Sequence, residues 1–193
     1  MPEFSLRDKT FLVTAGGSGI GLATAQLLVE SGANVGVSDV DADSLGVFID
    51  SLEPNARVQV VTGVVDVSER AAVRSFVEKV RAKFNRLDGI ASVAGVADRY
   101  GAGNVWDAPD NEYDYVMNVN MRGLFNIFGE TLKPGIIDRP GSIVHVGSEY
   151  SLRGGNGSAL YSAAKHGCLG MVKSAALEAG AGHDGVRINA VLP

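Results

Sequence analysis

Two patterns of apolar and polar positions alternate along the 193-residue chain. Short apolar runs predict buried β-strands, and they cover residues 10–14, 34–38, 57–61, 87–93, 142–146 and 186–191. Between them, apolar residues recur at helical spacing, which predicts helices over residues 22–31, 43–52, 111–137 and 158–179 and another that begins after Ser68 as its N-cap. Residues 99–109 match neither pattern. The alternation predicts an α/β fold, a doubly wound parallel sheet covered by helices on both faces.

Several chemically distinctive residues follow directly after predicted strands. They are the glycine-rich turn at residues 16–21, Asp39, Asp66 with Val67, and Ala94 with Gly95. Ligands of open parallel sheets bind beyond the carboxyl ends of the strands. We therefore expect these residues to line one binding site. The chain has no internal repeat and no linker, so we expect one domain over residues 1–193.

The first strand leads into a glycine-rich turn, a helix, a second strand and an acid at the end of that strand. This order is typical of a dinucleotide-binding unit. Glycines let the backbone approach a pyrophosphate, and the helix N-terminus offers N–H groups to the anion. The residues expected at the cofactor are Gly16, Ser18, Gly19, Ile20 and Gly21. The alternative is a turn that only packs the helix on the sheet.

Asp39 lies 18 residues after Gly21, close to the distance expected of an acid that binds the adenosine ribose. Its carboxylate can accept hydrogen bonds from both ribose hydroxyls and would repel a 2′-phosphate. We therefore predict NAD rather than NADP as the cofactor. In the alternative interpretation Asp39 is a solvated loop acid, because Asp41 and Asp43 lie close by.

Tyr161 and Lys165 are four residues apart in a predicted helix, so their side chains share one face of it. A free tyrosine has a pKa of about 10, and a fixed ammonium beside it lowers that pKa. A tyrosine tuned in this way can exchange a proton with an alcohol oxygen near neutral pH. The spacing alone is a weak signal and is also compatible with a half-buried tyrosine beside a surface lysine.

Composition excludes several other functions. The net charge is −5 without a basic run, so no nucleic-acid partner is expected. The apolar stretches are too short to span a bilayer, and a single cysteine, Cys168, favours a reducing, cytoplasmic setting and a core role for that residue. His145 is predicted to lie in the core, and neither His166 nor His183 completes a pair with metal-ligand spacing, so no metal site is expected.

Several motifs together resemble those of the short-chain dehydrogenase/reductase family over essentially the whole chain. Residues 14–21 resemble its Thr-Gly-x-x-x-Gly-Ile-Gly turn, and residues 118–120, Asn-Val-Asn, resemble the segment whose second asparagine is catalytic. Ser148 precedes Tyr161 by thirteen residues, as the family's catalytic serine does, and residues 189–193 resemble the run that leads to its Pro-Gly turn. The resemblance implies a Rossmann fold with three α/β/α layers.

The resemblance also implies an activity and a role for each site residue. The expected reaction is hydride exchange between nicotinamide and a secondary alcohol or ketone. Tyr161 is the expected general acid/base, and Lys165 lowers its pKa and bonds the nicotinamide ribose. Ser148 holds the substrate oxygen, and Asn120 positions a water that links Lys165 to solvent. Asp66 and Val67 are expected at the adenine.

Three departures from the family pattern stand out. Ala15 replaces the first glycine of the turn, and Ser92-Val93 replaces two asparagines before Ala94-Gly95. The sequence also ends at the position of the Pro-Gly turn, so the last helix and strand of the family are expected to be missing. The alternative function is therefore a truncated relative that binds cofactor or a partner without turnover.

The two long helices predicted at residues 111–137 and 158–179 carry more apolar and small residues than one sheet face can bury. Such an excess indicates an interaction face. In the resembling family these helices pair across a two-fold axis. We therefore expect a homodimer or a homotetramer.

Overall fold

The computed structural model describes residues 6–98, 103–182 and 185–193. It confirms the predicted parallel sheet, whose six strands lie in the order β3-β2-β1-β4-β5-β6. The strands are β1 Thr10–Thr14, β2 Asn34–Asp39, β3 Val60–Val64, β4 Gly89–Ser92, β5 Gly141–Val146 and β6 Val186–Val191. The chain order reverses between β1 and β4, which places a crevice for ligands beyond the carboxyl ends of these two strands.

Six α-helices accompany the strands in the described residues. They are α1 Gly19–Glu30, α2 Ala42–Ser51, α3 Arg70–Phe84, α4 Asp110–Met117, α5 Gly123–Thr131 and α6 Ala159–Gly182. A π-helical turn, Asn118–Arg122, joins α4 to α5. Short 3₁₀ turns lie at Arg57–Gln59, Val105–Asp107 and Glu149–Ser151.

The structure corrects several predicted boundaries. Strand β3 begins three residues later than predicted, because the 3₁₀ turn at Arg57–Gln59 precedes it and the Arg57 side chain donates to the carbonyls of Leu52 and Asp50. The N-cap of α3 is Glu69 and not Ser68. The helix predicted over residues 111–137 divides into α4, the π turn and α5, and it ends at Thr131.

Other predicted boundaries move by smaller amounts. Helix α1 begins at Gly19, inside the glycine-rich turn, and not at residue 22. Strand β4 spans only Gly89–Ser92 of the predicted 87–93. Residues 99–102 of the segment without a pattern, and His183, lie outside the described residues.

Side chains alternate along each strand and so project from both faces of the sheet. Helices cover each face and bury these side chains. On one face, Leu12 and Ile143 belong to an apolar core with α3, α5 and α6. On the other face, Val13 and Val37 pack with residues of α1 and α2, including Phe48. The two cores fix the strands between helices, so the strand ends, and the loops that leave them, hold defined positions.

A buried carboxylate ties α3 to α5. Glu130 is 3% exposed and accepts hydrogen bonds from Arg70 Nε at 2.6 Å, from Arg74 Nε at 3.2 Å and from Lys133. Burial alone would raise the pKa of Glu130, but the hydrogen bonds from Lys133, Arg70 and Arg74 outweigh it and lower that pKa to about 2. The ionised form is therefore favoured in the folded protein.

This shift predicts an acid-dependent contribution to stability. The pKa of Glu130 is lower in the folded state than the value of about 4.3 for a free glutamate, so its stabilisation is complete above that value and is lost as the pH falls toward 2. We expect Glu130→Gln to lower the free energy of unfolding by about 1–3 kcal/mol at pH 7. Urea unfolding at pH 7, 5 and 3 measures the difference, which should shrink on acidification. The exposed Glu53→Gln is the control, and a difference that does not depend on pH would contradict the assignment.

Candidate active site

The turn between β1 and α1 is shaped by positions where a side chain does not fit. A Cβ added to Gly21 would lie 2.0 Å from the Ala15 carbonyl oxygen, and one added to Gly16 would lie 2.3 Å from a methyl of Val37. Gly19, by contrast, has φ +51° and open space where a Cβ would be. Ser18 is the N-cap of α1, but its side chain makes no capping bond. The first N–H groups of a helix lack intrahelical partners, so this end of α1 can receive an anion.

Asp39 lies beside this turn, at the end of β2. One of its carboxylate oxygens accepts from the Gly17 N–H at 2.9 Å, and the other accepts from the Asp41 N–H at 3.1 Å. Asp41 caps α2 and does not stand in the position of Asp39. Asp39 therefore contacts the glycine-rich turn, whereas Asp41 caps α2.

A continuous cleft runs along the carboxyl ends of the strands. One cavity of about 340 Å³ is lined by the turn and by Ser148, Tyr161 and Lys165. A second of about 430 Å³ is lined by Asp39, Asp66, Val67, Tyr115 and Val119. The two cavities share four lining residues, which are Ala15, Ser18, Gly95 and Val96. The cleft thus joins the predicted adenine end to three of the predicted catalytic residues, Ser148, Tyr161 and Lys165, whereas Asn120 lines neither cavity.

Lys165 lies at the centre of the catalytic end. It is 3% exposed, and its Nζ donates to the Val146 carbonyl at 3.2 Å. The same Nζ is 5.5 Å from the centre of the Tyr161 ring. Burial lowers the pKa of the Lys165 ammonium. The alternative interpretation, a surface lysine, is therefore excluded, because the charge is held inside the protein and next to Tyr161.

Asn120 lies in the π turn, where an extra residue in one turn changes the direction of the side chain. It is 2% exposed, and its amide donates to the carbonyls of Val96 and Val116 and accepts from the Val96 N–H at 3.3 Å. A Cβ on Gly95 would lie 2.8 Å from Asn120 Oδ1 and 3.0 Å from Lys165 Nζ. Gly95 therefore allows Asn120 and Lys165 to approach the same point. Single π turns are frequent at functional sites.

Ser148 follows β5 and is 8% exposed. Its Oγ accepts from the Tyr150 N–H at 3.2 Å, and its own N–H donates to Ser151 Oγ at 3.2 Å. Since Oγ is an acceptor in this bond, its hydroxyl hydrogen is left to donate to another group. Ser148 and Tyr161 line the same cavity.

Two buried neighbours of Lys165 are neutral. Burial, with the nearby Lys165 charge, lowers the pKa of His145 to about 4. Its Nδ1 lies 3.2 Å from the Ser92 carbonyl, and its buried Nε2 has no hydrogen-bond partner among the residues that the structure describes. Burial raises the pKa of Cys168 to about 11, and its Sγ lies 3.5 Å from the Asn120 carbonyl. The predictions of core positions for His145 and Cys168 are confirmed.

Some contacts of the site have no signal in the sequence. Thr14 Oγ1 accepts from the N–H groups of Val93 and Ala94, which ties the end of β1 to the loop after β4. The partner of Lys165 is a backbone carbonyl, at Val146, which any residue type could supply. Tyr150 packs edge-on against Tyr161 with ring centres 5.8 Å apart. Only the spatial arrangement shows these three contacts.

Comparison with known proteins agrees with this geometry. The sequence profile of the family described as short chain dehydrogenase matches residues 9–193. The chain belongs to the short-chain dehydrogenase/reductase family. It is 39% identical over 189 residues to the short-chain dehydrogenase/reductase ABA4 of Pyricularia oryzae, covering 97% of this chain and 69% of that protein.

A second relative is known both as a sequence and as a structure. Levodione reductase of Leifsonia aquatica is 34% identical over 193 residues, covering 100% of this chain and 71% of that protein. The crystal structure of levodione reductase superimposes with a TM-score of 0.85 at 32% identity, over 97% of this chain and 71% of that one. The protein is thus an oxidoreductase of the short-chain type with a Rossmann fold.

The family uses NAD or NADP, and the residues present fit such a cofactor. The open space at Gly19, the uncapped N-terminus of α1 and the length of the cleft suit a dinucleotide. In the described part of the chain, no helix has both the length and the apolar character needed to cross a membrane.

Ala15 adopts a left-handed backbone conformation, φ +51°, that glycine tolerates better. This conformation costs a residue with a Cβ about 1–2 kcal/mol, and the greater freedom of an unfolded glycine offsets about 0.4–1 kcal/mol of that. We expect Ala15→Gly to raise the free energy of unfolding by up to about 1 kcal/mol. Chemical denaturation measures the effect. Ala108, with φ −67°, is the matched control, and Ala108→Gly should lower stability. An equal loss in both variants would contradict the strain at Ala15.

Proposed function

We propose that this protein is an NAD-dependent oxidoreductase that transfers a hydride between nicotinamide and a secondary alcohol or ketone. The observation that supports it most strongly is the placement of Ser148, Tyr161 and Lys165 in the cavity that the glycine turn also lines. A proton-transfer group, an oxygen donor and a dinucleotide site share one space. Bound nicotinamide supplies or accepts the hydride.

Tyr161 is the proposed general acid/base, which gives a proton to the ketone oxygen or takes it from the alcohol. The buried Lys165 charge, 5.5 Å from the ring centre, stabilises negative charge that develops on the phenol oxygen. The free hydroxyl hydrogen of Ser148 is the proposed second donor to the substrate oxygen. Two donors at one oxygen orient the reacting carbon and stabilise the charge of the transition state.

Lys165 has three N–H donors, and one of them is used on Val146. The others are available to the nicotinamide ribose and to a water. The Asn120 side chain donates to the Val96 carbonyl. The Asn120 backbone carbonyl lies next to Cys168 Sγ on α6. We propose that Asn120 keeps the wall of the proton path in place and positions the water that connects Lys165 to solvent.

Replacing Tyr161 by phenylalanine tests the reaction directly. We expect Tyr161→Phe to lower kcat by about 10²–10⁴-fold, because the ring remains but the proton donor is lost. The absorbance of reduced nicotinamide, followed with a panel of secondary alcohols and ketones, measures turnover. The dissociation constant for NAD should stay nearly unchanged. Full activity in Tyr161→Phe would contradict the mechanism, and NAD binding without turnover by the natural protein would support the non-catalytic alternative.

Preference for NAD is proposed from charge at the adenine end. The lining of that cavity includes two acids, Asp39 and Asp66, and no lysine or arginine among its described residues. Val40, directly after Asp39, is 66% exposed and offers no positive charge to a 2′-phosphate. A cofactor with two ribose hydroxyls fits this environment, since an acid there accepts their hydrogen bonds.

Asp39→Asn removes the charge but keeps an oxygen that can accept from the Gly17 N–H. We expect the ratio of the dissociation constants for NADP and NAD to fall by about ten- to a hundredfold, the size of a hydrogen bond to a charged group. Titration calorimetry with both cofactors measures the ratio. Asp43→Asn is the matched control and should leave it unchanged. A ratio that responds to Asp43 and not to Asp39 would contradict the assignment.

The proposed dimer face follows from the surface of α4, α5 and α6. Many apolar residues on which the expectation rested, such as Val116, Leu124 and Val172, are buried within the chain itself. Leu177 is 76% exposed, and the structure adds two exposed aromatic residues that the expectation did not include, Tyr113 at 51% and Phe125 at 46%. Two grooves of about 380 and 480 Å³ meet at Phe125 and Met171. We propose that a second copy of the chain covers this face across a two-fold axis.

Phe125→Glu should weaken this association, because it places a charge in the centre of an apolar contact. We expect the dimer dissociation constant to rise at least about a hundredfold, which corresponds to about 2.8 kcal/mol. Sedimentation equilibrium at micromolar concentration measures it. Val47→Glu, on the exposed side of α2 and 72% exposed, is the control. A natural protein that remains a monomer would contradict the proposal.

A further inference from the structure

Tyr150 lies between the two residues proposed to meet the substrate oxygen. Its backbone N–H donates to Ser148 Oγ at 3.2 Å. Its ring packs edge-on against the Tyr161 ring, with centres 5.8 Å apart and planes at 67°. Edge-to-face pairs of this geometry are attractive, because the positive edge of one ring meets the negative face of the other. One residue thus contacts both proton donors, one through its backbone and one through its ring.

Gly155 makes room for the Tyr150 ring. A Cβ added to Gly155 would lie 2.2 Å from Tyr150 Cε1 and 2.8 Å from its Oη. Real Cβ atoms do not approach a ring carbon so closely, so any other residue at 155 would displace the tyrosine. A Cβ added to the neighbouring Gly154 would meet no atom within 4 Å among the described residues, apart from its own residue and its two chain neighbours. The loop therefore contains one glycine that the ring requires and one that it does not.

A cation also lies near the Tyr150 ring. The Arg153 guanidinium carbon lies 5.7 Å from the ring centre, and Arg153 pairs with Glu149 at 2.5 Å. Both side chains of this pair are largely exposed, so the pair itself adds little stability. Its effect is to hold the Arg153 guanidinium near the Tyr150 ring.

The 3₁₀ turn that carries Tyr150 is fixed to the sheet. The Glu149 N–H donates to the Pro193 carbonyl at 2.8 Å, just after β6, and the Gly147 N–H donates to the Val191 carbonyl at 2.8 Å. Tyr150 is thereby positioned by strands β5 and β6, whereas Tyr161 is positioned by α6. The ring contact joins these two supports.

We propose that Tyr150 is a positioning residue that fixes the Tyr161 ring relative to Ser148, and that Gly155 is required because it leaves space for the Tyr150 ring. The inference rests on the proposed function of Tyr161 and Ser148. It assigns to the loop after β5 a direct role in the alignment of the two donors. A small error in such alignment is costly, since a displacement of about 1 Å can lower a rate by about a hundredfold.

The matched glycine variants test the proposal. We expect Gly155→Ala to lower kcat by at least about tenfold with little change in KM, because it misplaces the tyrosine rings. Gly154→Ala should retain the natural kcat. Tyr150→Ala should resemble Gly155→Ala, and Tyr150→Phe should retain kcat, because the ring and not its hydroxyl makes the contact. The double variant Gly155→Ala with Tyr150→Ala should be no slower than Tyr150→Ala alone, since the two changes remove one shared contact.

A spectroscopic readout separates this inference from the activity. In protein labelled with 3-fluorotyrosine, the ¹⁹F resonance of Tyr161 is identified by its loss in Tyr161→Phe. It should shift in Gly155→Ala and Tyr150→Ala and stay in place in Gly154→Ala. Equal kcat in the two alanine-for-glycine variants, an unmoved resonance in Tyr150→Ala, or a loss in Tyr150→Phe as large as in Tyr150→Ala would each overturn the proposal. Absence of turnover in the natural protein would contradict the proposed function, and the resonance would still decide the contact.

Discussion

A single buried positive charge determines how the site is built. Lys165 is 3% exposed, and an ammonium without water is unfavourable unless polar groups replace its hydration. Lys165 forms no ion pair with any residue that the structure describes. Its compensation comes from the Val146 carbonyl at 3.2 Å and the Tyr161 ring at 5.5 Å. A side chain at position 95 would collide with the ammonium, since a Cβ added to Gly95 would lie 3.0 Å from Lys165 Nζ. The end of β5, the loop after β4 and the first half of α6 must therefore meet at this charge.

Two groups near Lys165, His145 and Cys168, do not neutralise its positive charge. His145, whose pKa is lowered to about 4, and Cys168, whose pKa is raised to about 11, are both neutral at pH 7. Since neither neighbour carries a negative charge, the field of the ammonium acts on Tyr161 and on the open cleft. Negative charge is favoured there, and negative charge is what develops on a phenol oxygen that gives up its proton. The same burial that lowers the pKa of Lys165 thus makes its charge effective.

The sequence was informative where chemistry depends on spacing along one element, and uninformative where it depends on contacts between elements. The helical spacing of Tyr161 and Lys165, and the order of strand, glycine turn, helix and acid, led to the correct fold and to residues that do line one cleft. The late start of β3 could not be predicted, because the Arg57 side chain stabilises a turn with carbonyls of another segment. The π turn at Asn120 and the match of Tyr150 to Gly155 depend in the same way on local backbone geometry, which the residue types do not specify.

Chemical rescue of a lysine-free variant tests the central role of this buried charge most directly. Lys165→Ala leaves a cavity without the ammonium, and we expect a loss in kcat of about 10²–10⁴-fold for the alcohol that the natural protein oxidises. Added ethylamine, which is protonated at neutral pH, should restore turnover in a saturable manner, whereas neutral acetamide of similar size should not. Lys165→Met fills the same space and should not be rescued. Full activity in Lys165→Ala, or equal rescue by acetamide, would contradict the account.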